Sequence, residues 1–182
     1  MTPVNMAVGY FGAVGWHEGG HALTALGLGG RDVTVTVWPT RDDEENWHLG
    51  LTTARFKTSE FSDFDRTLFN TMGPTAMWVG HMATRGLLRT GYIPRAIQPT
   101  LGWFSFFNQV GYYGQAIMGL ARLDTTDLGK EPAWISAVML GGGLAFDLLD
   151  FLTDTPNKYF GVLFGQEFYD NDEEKNFGTI AA

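Results

Sequence analysis

The feature that most constrains this chain is its opening: from Met1 to Gly30 the single charged residue is Glu18. A stretch of that length exceeds the roughly 20 residues an α-helix needs to cross a hydrocarbon layer. Thr2-Pro3 can open a helix as cap and first-turn proline, and Gly29-Gly30 can close it, which predicts helix 1 at about residues 4–28. No Lys or Arg precedes it, so a signal peptide is a poor reading.

Three later runs repeat the pattern. Thr67 to Thr84 and Ala96 to Ala121 carry no charge, and Pro132 to Phe146 extends to Leu152 with only Asp147 and Asp150 interrupting. They predict helix 2 at about 67–88, helix 3 at about 96–122 and helix 4 at about 131–153. The expected fold is therefore mainly α: a polytopic membrane protein with about four transmembrane helices, in one membrane-embedded domain spanning residues 1–182. A charged fraction of 18%, below the ~25% usual for soluble domains, favours this reading. A mean hydropathy of -0.06 keeps a soluble helical domain with buried glycine-rich helices as its competitor.

Between helices 1 and 2 the period changes from helical to two. Val33, Val35 and Val37 alternate with Thr34 and Thr36, and a polar acidic stretch follows from Pro39 to Asn46, so a β-hairpin or small sheet over about residues 32–56 is expected, with Arg41 to Glu45 as its turn. The C-terminal segment, about residues 154–182, is acidic and reads as solvated.

The chemistry sits in helix 1. His17-Glu18-Gly19-Gly20-His21 is an HExxH motif; residues four apart share a helix face, so both imidazoles can bind one zinc ion while Glu18 reaches a water that the zinc activates. Glu18 would take that water's proton during attack on a peptide carbonyl and return it to the leaving amine, the role of general base and acid. Two histidines and a glutamate inside an uncharged span are functional candidates by default, because ionisable groups in hydrocarbon are costly. With no cysteine in the chain, any further ligand must be His, Asp or Glu. Thr24 and Gly27 occupy the positions where a metzincin needs Gly and His, which excludes that class. A gluzincin would use a Glu on a later helix, and Glu60 and Glu131 are available. His48 and His81 are isolated and read as a loop residue and a packed helix residue. Gly12, Gly15 and Gly19 form a small-residue stripe suited to close helix packing, and Gly19 and Gly20 beside Glu18 could leave room for substrate backbone.

An HExxH motif within an apolar helix, followed by the Val33 to Pro39 strand and by Asn70-Thr71-Met72-Gly73-Pro74 in the next apolar run, resembles the site-2 protease family of intramembrane zinc metalloproteases. The resemblance is by order of parts and covers most of the chain. It implies that His17 and His21 lie on the metal-binding helix and that Gly73-Pro74 stands for the family's Ala-Gly-Pro element. It also implies a third zinc ligand from an Asp followed by Gly near the start of a late helix, for which Asp127-Leu128-Gly129 is the nearest match, with one residue inserted. Asn108 lies farther upstream than the family's Asn, and no proline stands between Pro99 and Pro132.

Depth gives an independent ranking of the third ligand. His21 lies in the half of helix 1 nearer the hairpin side, as do Asp124 and Asp127, whereas Asp147 sits roughly 20 Å farther along helix 4 at 1.5 Å per residue. Asp127 ranks first, Asp124 second and Asp147 third. The hairpin side also holds Arg31, Arg41, Arg55, Lys57, Arg66, Arg122 and Lys130 against Arg85, Arg89 and Arg95 in the other connection, which puts it in the cytoplasm.

The expected activity is that of an intramembrane zinc endopeptidase of bacterial inner-membrane type, with its metal site nearer the cytoplasmic side. Its partners are a membrane protein substrate or membrane-complex subunits and the lipid bilayer. The alternative is a non-catalytic, protease-like accessory subunit of a larger membrane complex. A net charge of -8 argues against nucleic acid as a partner.

Overall fold

The computed structural model describes residues 3–42, 45–57, 61–123 and 126–153. Four long helices dominate: α1 Pro3–Gly27, α2 Asp63–Arg89, α3 Gln98–Leu120 and α4 Ala133–Thr153. Between α1 and α2 lie four short strands, β1 Arg31–Thr36, β2 Thr40–Arg41, β3 Trp47–His48 and β4 Leu51–Arg55, and a 3-10 turn, Leu128–Lys130, precedes α4. The mainly helical class with a small sheet is as expected. Residues 154–182, Asp124 and Glu60 lie outside the described residues.

The sheet is one long antiparallel hairpin with a break in the middle. β1 pairs with β4, Val35 opposite Thr52, and β2 pairs with β3, Arg41 opposite Trp47. Asp42 holds the turn: its carboxylate accepts from the Asn46 backbone N–H at 2.9 Å and pairs with His48 Nε2 at 2.8 Å.

α2 begins four residues before the expected start. Asp63, Asp65 and Arg66 look like exterior loop in a reading that tracks apolar runs. The chain instead builds a capping box, in which the Ser62 hydroxyl accepts from the Asp65 N–H and the Asp65 carboxylate accepts from the Ser62 N–H at 2.9 Å. The hydrogen bonds from Ser62 hold the Asp65 carboxyl below its usual range.

α1, α2 and α3 pack against one another, while α4 leans chiefly on α3. The close approaches come at other glycines than the expected stripe. A Cβ on Gly9 would lie 2.6 Å from Trp103 Cβ, and one on Gly20 would lie 2.5 Å from the Met72 carbonyl oxygen. Gly12 and Gly15 meet only side chains, and Gly19 faces open space.

Of the described helices, one is both long and apolar enough to cross a membrane: Ala133–Leu152, with mean hydropathy 1.7. α1, α2 and α3 fall short because Gly, Thr, Asn, Gln, His and Tyr fill many of their positions.

Replacing Gly9 by Ala forces the α1–α3 contact apart and is expected to destabilise the fold by about 1–3 kcal/mol. Gly86→Ala, at a helical position with nothing within 4 Å, is expected to be neutral or to stabilise by up to about 1 kcal/mol. Thermal unfolding of the two purified variants, followed by circular dichroism, checks the opposite signs.

Candidate metal centre

His17 and His21 project from the same face of α1 and are both buried. Their Nε2 atoms lie 3.2 Å apart. Asp127, in the turn between α3 and α4, brings its Oδ2 to 3.1 Å from His17 Nε2 and 3.4 Å from His21 Nε2. A tetrahedral zinc site with ligand bonds of about 2.0–2.1 Å has ligand atoms about 3.3 Å from one another, so this triangle has the dimensions the ion requires.

Protonation sharpens the fit. His21 Nδ1 lies 2.7 Å from the Phe69 carbonyl, which can only accept, so Nδ1 carries the proton and a neutral His21 presents a bare Nε2 lone pair to the triangle. A lone pair and a carboxylate oxygen 3.4 Å apart repel unless positive charge lies between them. That is the arrangement of a metal-ligating histidine whose other nitrogen is held by a backbone carbonyl. His17 Nδ1 is buried and has no such partner among the described residues. When a proton and not a metal ion supplies that positive charge, His17 and His21 donate to Asp127 instead; burial alone would push its carboxyl up, but these hydrogen bonds outweigh it and hold the group well below the usual carboxylate range. Gln115 Nε2 on α3 also donates to Asp127 Oδ2, at 3.1 Å.

The cradle for these groups is backbone. A Cβ on Gly73 of α2 would lie 2.2 Å from His21 Nε2 and 2.7 Å from His17 Cε1, so only glycine lets α2 pass beside both imidazoles. Asp127 reaches them because the turn folds back tightly. Arg122 has a φ of 55°, and a Cβ on Gly129 would lie 1.7 Å from the Leu123 carbonyl oxygen. Leu128, fully buried with Ala116 and Ile135, pins the turn to the α3–α4 junction.

Glu18 is buried and faces the hairpin. Thr52 Oγ1 of β4 lies 2.7 Å from Glu18 Oε2 and 3.0 Å from the Glu18 carbonyl oxygen. Gly50 leaves the space, since a Cβ there would lie 2.7 Å from Glu18 Oε1. Neither Gly50 nor Thr52 carries a sequence signal, because the contact spans more than thirty residues and depends on how the hairpin lies on α1.

The other candidates go elsewhere. Glu131 is buried and accepts from Thr67 Oγ1 at 2.6 Å and Asn70 Nδ2 at 2.7 Å, so it ties the α4 approach to α2 and is not one of the clustered ligands. Asp147 belongs to a second polar cluster: Tyr113 OH donates to it at 2.5 Å and Gln109 Nε2 at 2.7 Å, and His81 Nε2 lies 3.5 Å away. His81 is a packed helix residue as expected, with Nδ1 2.8 Å from Ser105 Oγ. His48 lies in β3 beside Asp42, again away from the metal centre. Deeper still, Asp150 of α4 pairs with Arg85 and Arg89 of α2. Phe104 stacks edge-on to Trp16, Phe106 and Phe107 pack on Trp103, and the Tyr112 hydroxyl bonds the Met139 carbonyl, so these aromatic groups act as helix contacts.

No family model, no curated protein and no solved structure matches this chain.

The Gly73 cradle gives a direct test. Gly73→Ala places a methyl group on the His21 nitrogen and is expected to weaken zinc affinity by at least tenfold while leaving helical content unchanged. Competition titration against a chromophoric chelator, run beside circular dichroism, measures both.

Proposed function

We propose that this protein is a membrane-embedded zinc endopeptidase resembling site-2 proteases, with His17, His21 and Asp127 as the protein ligands and Glu18 as general base and acid. The observation that carries this reading is the triangle of His17 Nε2, His21 Nε2 and Asp127 Oδ2, 3.1–3.4 Å on each edge. Two parts of the chain more than a hundred residues apart, α1 and the α3–α4 turn, converge there, with Glu18 directly beside His17.

A bound zinc ion would supply Lewis-acid polarisation and lower the pKa of a water toward ~7. The protein's own part concerns the proton. With Oε2 engaged by Thr52, the Glu18 carboxylate is fixed in orientation and its Oε1 can take a proton from water. The same carboxyl then delivers that proton to the amine released from the peptide. His21 is held at Nδ1 by Phe69, which keeps its Nε2 available for the metal. Gly19, open on its outer side, leaves space beside Glu18 for an extended peptide backbone.

The membrane setting is supported by an inverted distribution of polarity. The interior holds His17, Glu18, His21, His81, Asn108 and Asp150, whereas large apolar side chains face outward, among them Leu23 at 74% exposure and Leu152 at 70%. Such surfaces on α1 and α4 exceed what a soluble monomer normally exposes to water, and match lipid as the surrounding solvent. On this reading all four helices lie in the bilayer. Asp147 and Asp150, the acids of α4, are matched by His81, Arg85 and Arg89 of α2. The same pairing takes Arg85 and Arg89 out of the charge balance on their side. With the excess of Lys and Arg near the hairpin, this supports a metal centre nearer the cytoplasm.

Glu18→Gln is expected to retain stoichiometric zinc and to lower cleavage of a helical membrane substrate by about 10²–10⁴-fold. His17→Ala should lose the zinc, as read by elemental analysis. Zinc retained without cleavage in the wild-type protein would favour the accessory-subunit reading, and extraction from membranes without detergent would remove the bilayer from it. Thr52→Val should lower kcat about tenfold at unchanged zinc content, as single-turnover kinetics would register.

A further inference from the structure

Glu131 has no part in the chemistry above, yet it is 4% exposed and both of its carboxylate oxygens are occupied by side chains of one helix. A buried carboxylate is costly unless its hydrogen bonds are made, so a pair as short as these fixes the segment that carries it. That segment starts at Asp127. Only the 3-10 turn Leu128–Lys130 separates the two acids, and Gly129 packs that turn too tightly against Leu123 for the loop to slacken.

The other end of the contact is equally specific. Thr67 and Asn70 lie on the stretch of α2 that also holds the histidines, through the Phe69 carbonyl on His21 Nδ1 and through Gly73 beside both rings. One short piece of α2 thus registers α1 through His21 and the α3–α4 turn through Glu131.

We propose that Glu131 is a positioning residue for the metal centre: by clamping onto Thr67 and Asn70 it sets Asp127 at the depth where its oxygen completes the ligand triangle with His17 and His21. The inference rests on the metal-site reading and adds a residue outside the ligand set. Its strength should resemble that of other groups that orient ligands from behind, whose loss lowers metal affinity by about 10–100-fold. The clamp works through hydrogen bonds and not through charge. A Gln at this position can accept from Asn70 with its oxygen and donate to Thr67 Oγ with its amide, so it should restore the contact that Ala removes.

The test uses the full chain loaded with Co²⁺ as a spectroscopic substitute for zinc. Wild type, Glu131→Ala, Glu131→Gln, Asn70→Ala and Asp127→Asn are compared by metal affinity and by the visible ligand-field spectrum. Glu131→Ala should bind 10–100-fold more weakly, and its spectrum should match that of Asp127→Asn, because both lack the third ligand. Glu131→Gln should return to within a few-fold of wild type with the wild-type spectrum. Asn70→Ala, which removes one donor and leaves the acid in place, should fall between them and serves if Glu131→Ala does not fold. Wild-type affinity and spectrum in Glu131→Ala, or in Asn70→Ala where only that variant folds, overturns the proposal. So does a Glu131→Gln protein that behaves like Asp127→Asn. Failure of the wild-type chain to bind Co²⁺ or zinc at all would instead overturn the metal-site reading beneath it.

Discussion

The structure depends on a reciprocal contact between two glycines. Gly20 of α1 accepts the backbone of α2 at the Met72 carbonyl, and one residue later Gly73 of α2 accepts the imidazoles of α1. A side chain at Gly20 would press on the α2 backbone, and one at Gly73 would displace the imidazoles. Several placements follow from this one approach. The Phe69 carbonyl comes within 2.7 Å of His21 Nδ1, and Trp16 Nε1 reaches the Ala76 carbonyl at 2.5 Å. Gly80 adds to the same fit, since a Cβ there would lie 2.8 Å from that indole nitrogen. The candidate metal centre is thus assembled against main chain, which offers few ways to rearrange.

Against that rigid pair the remaining parts are delivered by turns and a hairpin. β4 brings Thr52 to Glu18 from one side, and the α3–α4 turn brings Asp127 to the histidines from another. Both arrivals are secured by glycine at the point of contact, Gly50 under Glu18 and Gly129 under the Leu123 carbonyl. The chemistry proposed for the site, a fixed carboxylate beside a ligand triangle, needs that positional accuracy more than it needs any single strong bond.

How much of this is legible in the residues alone depends on distance along the chain. The histidine pair and Glu18 can be read because an i, i+4 spacing is a local property of a helix. The helix count follows from uncharged runs, and the hairpin from its period of two. The start of α2 is misread because a capping box places acids inside the helix, where a count of apolar residues ends too early. The stripe of Gly12, Gly15 and Gly19 is misassigned because spacing shows that a face is smooth without showing what lies against it; Gly9 and Gly20 carry the contacts. Gln115, Thr52 and the Glu131 contact escape entirely, each joining segments that only the folded topology brings together. Asp147 could be set behind Asp127 by depth alone, and the structure gives it other partners, His81, Gln109 and Tyr113.

The pairing of α4 acids with α2 bases bears on how the chain is made. Asp147 and Asp150 sit on the most apolar helix, and their partners, His81, Arg85 and Arg89, are all encoded more than fifty residues earlier. During N- to C-terminal synthesis the bases are therefore in place before the acids emerge, so the last helix meets a prepared partner and need not bury two carboxylates alone. A chain whose halves were exchanged in order would have the same composition and the same final contacts, but would ask its most lipid-compatible segment to wait unneutralised.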